Sequence, residues 1–124
     1  MPADEQAEEQ AEHPMMVEIF SPGDMLYYGP GSRVISFFHE VTNETILPFI
    51  SQLLELDSRS CGDIITVHLN TPGGSLTDAF VAYDIIKTIK SPVVMVGTGM
   101  VASAGLILLS AADYRYCSPN CMFF

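Results

Sequence analysis

Apolar and polar positions along the chain follow two periods, one typical of strands and the other of helices. Apolar runs bounded by Pro, Gly or Asn predict strands over residues 33–38, 63–70 and 92–97. Apolar positions at helical spacing predict helices over residues 43–56, 76–90 and 104–112. A chain that alternates strand and helix in this order builds βαβ units on a mostly parallel sheet, so the predicted fold class is α/β.

Local signals refine these elements. Pro48 is tolerated in the first turn of a helix, so we expect the regular part of the first helix to begin near Thr45 or Leu47. Ser75 fits the N-cap of the second helix, with Asp78 completing a weak capping box. The apolar face expected on that helix consists of Leu76, Ala79, Phe80, Tyr83, Ile86 and Ile89. The strand before it is expected to be mostly buried through Ile64, Ile65, Val67 and Leu69.

Residues 93–112 form a stretch of 20 positions without a charge, which is the length that a transmembrane helix needs. Its first part is β-branched and lies between Pro92 and Gly97, as in a buried strand, whereas its second part is rich in Ala and Leu. No Lys or Arg cluster flanks it. We therefore expect a buried strand followed by a buried helix, and no membrane span.

The chain has 124 residues, of which 48% are hydrophobic, which is enough for the core of one domain. Much of the net charge of −10 comes from five acidic residues near the N-terminus, Asp4, Glu5, Glu8, Glu9 and Glu12. We expect residues 1–16 to form an acidic disordered tail and residues 17–124 to form the folded domain. The five Lys and Arg residues form no cluster, so nucleic acid is not an expected partner.

Three cysteines, Cys61, Cys117 and Cys121, do not make a disulfide framework. The Cys117-x-x-x-Cys121 spacing lacks the second ligand pair of a structural zinc site, so free buried or half-buried thiols are expected, and no metal or cofactor. The N-terminus has neither the basic nor the apolar region of a secretion signal. A reducing, cytoplasmic location fits these features.

The segment 99–105 reads Gly-Met-Val-Ala-Ser-Ala-Gly and places one small hydroxyl, that of Ser103, where a strand should turn into a helix. Free N–H groups at a helix start favour developing negative charge. The Pro72-Gly73-Gly74 turn also follows a strand, and carboxyl ends of parallel strands meet at one edge, so the two turns should be neighbours. Ser103 as nucleophile and the N–H groups of Gly74 and Ala104 as oxyanion donors form a candidate site for acyl transfer.

A base for Ser103 is not evident in the sequence. His13 lies in the tail, His39 is expected at the surface, and His68 is expected to be a hydrogen-bonded core residue. Lys87 and Lys90, the candidates for a Ser–Lys pair, lie at the far end of their helix. Without a base, a serine nucleophile loses about a millionfold in turnover, so the chain alone should be nearly inert.

The order and spacing of these blocks resemble the ClpP peptidases, which are serine-protease chambers fed by AAA+ unfoldases. The likeness runs from about Gly31 to Asn120 and includes the Pro-Gly-Gly block at 72–74, the serine block at 99–105 and Ser-Pro-Asn at 118–120. The resemblance implies a ClpP/crotonase-like fold, with Ser103 as nucleophile and Gly74 and Ala104 as oxyanion donors. It also implies peptide or unfolded-protein substrates, an AAA+ unfoldase partner and a homo-oligomeric ring.

The chain also departs from the family pattern. The family commonly has Met at the position of Ala104, and the stretch between Ala112 and Pro119 is about two residues shorter here. The family's catalytic histidine follows the Pro-Asn block by a few residues, and its acidic partner and ring-packing helix lie further on. We therefore expect the N-terminal portion of a ClpP-like peptidase domain, incomplete at its C-terminus, with exposed apolar surface there. Two alternatives remain, a non-catalytic structural subunit of a ClpP-like ring and a crotonase-type acyl-CoA enzyme.

Overall fold

The computed structural model describes residues 17–19 and 32–124; the expected acidic tail over 1–16 lies outside them. The described strands are β1 (Glu18–Ile19), β2 (Val34–Phe37), β3 (Ile65–Thr71), β4 (Val93–Val101), β5 (Tyr114–Cys117) and β6 (Met122–Phe123). The described helices are α1 (Asn43–Arg59), α2 (Leu76–Thr88) and α3 (Ala104–Ala111). The strand order is β1-β5-β4-β3-β2, with β6 beside β4, and every described pair is parallel. The α/β class with a mostly parallel sheet is confirmed.

The core lies where the sheet meets the helices. Odd-numbered side chains of β3 and β4, including Ile65 and Met95, belong to one buried cluster with side chains of all three helices. Leu53 of α1 and Leu108 of α3 are both 0% exposed within it. Burying a side chain of this size stabilises the fold by about 1.5–3 kcal/mol, so the sheet is held firmly from its helical face.

The start of α1 differs from the expectation. The helix begins at Asn43 rather than near Thr45 or Leu47, because Thr42 and Thr45 form a capping box. The Thr45 N–H donates to Thr42 Oγ1 at 3.2 Å, and the Thr42 N–H donates to Thr45 Oγ1 at 2.9 Å. Pro48 is therefore the sixth residue of the helix, beyond the first turn. Two reciprocal bonds at the N-terminus offset the one backbone bond that the proline cannot make.

Two expectations about burial are wrong. Ile64 precedes β3 and is 54% exposed, because the strand begins at Ile65. Leu76 and Phe80 of α2 are 56% and 51% exposed, because α2 turns Ala79, Ala82 and Ile86 towards the core instead. An apolar flank of α2 is therefore left at the surface.

The ends of α2 agree in part with the expectation. Ser75 is the N-cap, and its hydroxyl accepts from the Asp78 N–H at 3.3 Å. The return bond of a capping box is not made, because the Ser75 N–H donates to the Val41 carbonyl at 2.8 Å. Lys87 lies in the last turn of α2, whereas Lys90 lies beyond it.

The uncharged stretch 93–112 divides into β4 and α3, as expected. No helix among the described residues combines the length and the apolar character needed to cross a bilayer.

Candidate active site

The carboxyl ends of β3 and β4 bring the two glycine turns together. Thr71 pairs with Val101 at the end of the ladder, and the Ala102 N–H donates to the Thr71 carbonyl at 3.0 Å. Gly73 lies so close to the serine turn that an added Cβ would be 2.8 Å from the Cβ of Ser103 and 3.1 Å from the nitrogen of Ala104. The predicted proximity of the turns is confirmed, and glycine at position 73 is what permits it.

A widened register in β4 delivers the serine turn to this edge. Leu69 pairs with Gly97 and Thr71 with Val101, so two steps along β3 face four steps along β4. Gly99, in the widened part, has a φ of +70°, a value that side chains rarely adopt. On its other edge β4 pairs with β5 up to Gly97 and with β6 from Met100. The strand thus changes partner just before the serine turn.

Ser103 stands at the junction of β4 and α3 in a strained conformation. Its φ is 52° and its ψ is −121°, and it is the only non-glycine residue with positive φ among those the structure describes. The residue is exposed, and its side chain makes no capping bond to α3. Backbone strain of this kind costs on the order of 1–3 kcal/mol and is typical of nucleophiles at sharp strand-to-helix turns.

Most amides around Ser103 are already hydrogen-bonded. The Gly73 N–H donates to Thr71 Oγ1 at 3.1 Å, the Ser103 N–H to the Phe124 carbonyl at 3.0 Å and the Gly105 N–H to the Ala102 carbonyl at 2.9 Å. Among the residues that the structure describes, the N–H groups of Gly74 and Ala104 donate to no other protein group. Ala104 is the first residue of α3, where amides have no partner within the helix. Two donors without a partner therefore remain, one in the Pro-Gly-Gly turn and one directly after Ser103.

Val41 clamps the Gly74 side of the site. Its N–H donates to the Gly73 carbonyl at 2.7 Å, and its carbonyl accepts from the Ser75 N–H at 2.8 Å, which makes a parallel bridge between Val41 and Gly74. Gly74 has a φ of +142°, and an added Cβ would collide with the Val41 carbonyl. The bridge uses the peptide groups on both sides of Gly74 and leaves its own N–H unpaired.

The structure does not bring a base to Ser103 within the described residues. His68 is 3% exposed on β3 and pairs in register with Val96, so it is a buried residue as expected. His39 is exposed and packs edge-on against the Phe37 ring, 5.5 Å between centroids. His13 lies outside the described part of the chain. Lys87 is eleven residues along α2 from Leu76, which is about 16 Å of helix.

The thiols agree only in part with the expectation. Cys117 is buried and Cys121 half-buried, whereas Cys61 is exposed in the turn before β3. Burial raises the pKa of both the Cys117 and the Cys121 thiol. Across the described residues, no three His, Cys, Asp or Glu side chains come together as a metal-binding group.

Three residues that hold this geometry were not among the candidates from sequence. Val41 and Phe124 act through backbone groups, for which no side-chain signal exists. Thr71 acts in part through its hydroxyl, and a Thr two residues before a glycine turn is a recognisable signal for a side chain that bonds its own backbone.

With this geometry in place, comparisons with known proteins identify the family. The Clp protease family matches residues 24–124. ATP-dependent Clp protease proteolytic subunit 2 of Treponema denticola is 36% identical over 91 residues, which are 72% of this chain and 46% of that protein. The chloroplastic proteolytic subunit 3 of Arabidopsis thaliana is 39% identical over 90 residues, which are 71% of this chain and 29% of that protein. The chain belongs to the Clp protease family.

Solved structures of the family share the fold. ClpP1 from Listeria monocytogenes has a TM-score of 0.71 at 37% identity, over 74% of this chain and 55% of that one. The ClpP protease catalytic domain from Plasmodium falciparum has a TM-score of 0.71 at 33% identity, over 73% and 52%. The chain spans about half of each solved structure, and half or less of the curated relatives that it matches.

Proposed function

We propose that this chain supplies the nucleophile and the oxyanion donors of a Clp-type serine endopeptidase. The observation that carries the proposal is that, among the described residues, the N–H groups of Gly74 and Ala104 have no partner in the two turns that meet at the exposed residue Ser103. Ser103 Oγ would attack the carbonyl carbon of a peptide bond, and the carbonyl oxygen, now negative, would accept from both N–H groups. Collapse of that intermediate expels the amine and leaves an acyl group on Ser103, which water then removes.

The base of the complete peptidase belongs, in this proposal, to polypeptide that follows β6 in longer relatives. The Phe124 carbonyl accepts from the Ser103 N–H at 3.0 Å, so the chain runs past the nucleophile just after β6. By the resemblance, the catalytic histidine follows the Pro-Asn block by a few residues, which is this same place. The acidic partner of the triad comes later still, so the 124 residues alone should turn over about a millionfold more slowly than a complete site.

Substrates and partners extend the proposal. The relatives are named as ATP-dependent proteolytic subunits, which supports peptide or unfolded-protein substrates and an AAA+ unfoldase partner. Met122, Phe123 and Phe124 are 56%, 40% and 65% exposed, an apolar surface that further polypeptide or a neighbouring subunit of a homo-oligomeric ring would cover. A cytoplasmic location completes the proposal.

A fluorophosphonate probe with added imidazole tests it, because imidazole can act as an external base for Ser103. We expect labelling of Ser103 to rise with imidazole concentration as phosphorus bonds to Oγ, fluoride leaves and imidazole takes the proton. Ser103→Ala should abolish the labelling. Ser51→Ala, which removes an exposed α1 hydroxyl bonded to the Leu47 carbonyl at 3.0 Å, should not change it. Labelling that ignores imidazole, or that survives in Ser103→Ala, contradicts the proposal.

The labelling result, taken with a thioester-binding assay and a co-purification assay, separates the alternatives. A crotonase-type enzyme would use the Gly74 and Ala104 amides for the enolate oxygen of an acyl-CoA and would bind a thioester without Ser103 labelling. A structural ring subunit would do neither and would co-purify with intact Clp peptidase subunits.

A further inference from the structure

Thr71 bonds to the backbone on both sides of the candidate oxyanion site. It ends β3 and is 0% exposed. Its carbonyl accepts from the Ala102 N–H at 3.0 Å, on the serine side. Its Oγ1 accepts from the Gly73 N–H at 3.1 Å, on the glycine side. The backbone groups it holds precede the two open amides, of Gly74 and Ala104, by one and two residues.

The methyl group of Thr71 makes a third contact. Cγ2 lies against Gly105, so closely that a Cβ added at Gly105 would overlap it. Because hydroxyl and methyl share one Cβ, a single χ1 rotamer sets both contacts at once. Thr71 therefore fixes the Pro-Gly-Gly turn, the serine turn and the first turn of α3 relative to one another.

We infer that Thr71 is a positioning residue that sets the separation between the Gly74 and Ala104 N–H groups, and through it the rate of acyl transfer to Ser103. The inference rests on the proposed function. Oxyanion donors must lie 2.7–3.1 Å from the developing oxygen, so a small change in separation removes one of them. The Thr71 hydroxyl holds the Gly73 N–H, and the Val41 N–H holds the Gly73 carbonyl at 2.7 Å. The two bonds together orient the peptide that carries the Gly74 N–H.

Isosteric variants separate the hydroxyl from the methyl. Thr71→Val keeps the shape and removes the acceptor, and we expect fluorophosphonate labelling in imidazole to slow by about tenfold to a hundredfold, as for a displaced oxyanion donor. Thr71→Ser keeps the acceptor and should stay within about threefold of wild type. Thr71→Cys keeps nearly the same volume with a weak acceptor; it should label at an intermediate rate, and it replaces the valine variant if that does not fold. Equal labelling of wild type and Thr71→Val would overturn the inference.

NMR measurements of backbone amides in the same chain test the role of Thr71 independently of the labelling reaction. In ¹⁵N-labelled protein, Thr71→Val should lose hydrogen-exchange protection at Gly73 and shift the Gly74 and Ala104 amide resonances, and Thr71→Ser should restore both. If wild type is not labelled at all, the proposed function fails, and these resonances still test Thr71. Unchanged protection at Gly73 with unshifted Gly74 and Ala104 amides would then overturn the inference.

Discussion

The polar groups at the two edges of the sheet differ in how they are hydrogen-bonded. At the amino edge, where β2, β3 and β4 begin, charged side chains bind backbone and hydroxyl groups. The Arg33 guanidinium donates to the carbonyls of Leu56 at 2.7 Å, Asp63 at 3.0 Å and Ile64 at 3.2 Å, and to Ser91 Oγ at 3.0 Å. At the carboxyl edge, glycines bring backbone to backbone, and the amides of Gly74 and Ala104 stay open.

Carboxylates complete the amino edge. Asp57 accepts from the Ser91 N–H at 2.9 Å, from Ser91 Oγ at 2.8 Å and from the Lys90 N–H at 3.2 Å. Asp113 accepts from the Val93 N–H at 2.7 Å. These bonds pair the backbone groups at the starts of the strands with side chains of the same fold. Few of those groups remain for a ligand to bind. Backbone N–H groups without a partner, rather than a concentration of charge, therefore distinguish the edge that carries the candidate site.

The largest effect should come from adding one methyl group at the carboxyl edge. Gly73→Ala would place Cβ 2.7 Å from the Ala102 carbonyl and 3.1 Å from the Ala104 nitrogen, so we expect imidazole-dependent labelling to fall by at least a hundredfold. Gly62→Ala is the matched control, since Gly62 has a φ of +100°, against +101° for Gly73, but nothing within 4 Å. Its labelling per folded molecule should equal wild type. Equal losses of labelling in both variants would show that the cost comes from the positive φ alone. The close contacts at Gly73 would then not distinguish the carboxyl edge from the amino edge.

The next effect concerns stability at the amino edge. Arg33→Ala removes four donated bonds, one of them to the hydroxyl of the buried Ser91, and should lower the free energy of unfolding by about 2 kcal/mol in urea titration. Arg33→Lys, which keeps the charge without the planar fork, should recover only part of this. Labelling of Ser103 per folded molecule should stay unchanged in both. A labelling defect in Arg33→Ala would mean that the two edges are coupled.

A smaller effect should depend on pH. Hydrogen bonds from the Ser91 backbone and side chain hold the pKa of Asp57 below its ordinary value of 3.8. The ionised carboxylate therefore stabilises the fold above pH 3.8, and this stabilisation is lost as pH falls from there through the lowered pKa. Asp57→Asn should be less stable than wild type at pH 7, by less than Arg33→Ala. In urea titrations the gap should narrow below pH 3.8; a gap that widens on acidification would contradict the assignment.

The smallest effect is a difference in the alkylation rates of the three thiols in folded protein. Cys61 is exposed in a turn at the amino edge, whereas burial raises the pKa of Cys117 and of Cys121. Iodoacetamide at pH 8 should alkylate Cys61 at least about tenfold faster than either of the others, as followed by peptide mass spectrometry. Cys61→Ser should remove the fast phase. Fast modification of Cys117 in folded protein would show that the site side of the sheet opens readily.

Much of the fold could be predicted because periodicity reports which way side chains face. β3 and α3 lie close to their predicted bounds, since long apolar runs between Pro, Gly and Asn leave few alternatives. β4 begins close to where predicted but runs to Val101, four residues past its predicted end at Gly97, because it continues through the widened register and pairs with β6. The exposure of Leu76 and Phe80 could not be predicted. Helical spacing identifies an apolar stripe, but which part of it meets the sheet depends on how α2 crosses the strands.

The candidate site divides in the same way. Ser103 and the adjacent glycine turns could be found because small residues at a strand-to-helix turn have a local signature. The backbone contacts that hold the two turns in place could not be predicted. The capture of the Ser103 N–H by Phe124 and the bridge from Val41 to Gly74 join backbone groups far apart in sequence, and backbone groups look alike in every residue.

The widened register of β4 limits which insertions and deletions the segment between Gly97 and Val101 can accept. Side chains alternate along a strand, and the widening adds an even number of residues, so Val101 stays on the same face as Met95 in the core. A single-codon insertion or deletion between Gly97 and Val101 would turn Val101 out of the core and rotate Ser103 to the opposite face. A pair of codons would preserve the phase. Length variation in this segment should therefore be accepted in steps of two residues and rejected in steps of one.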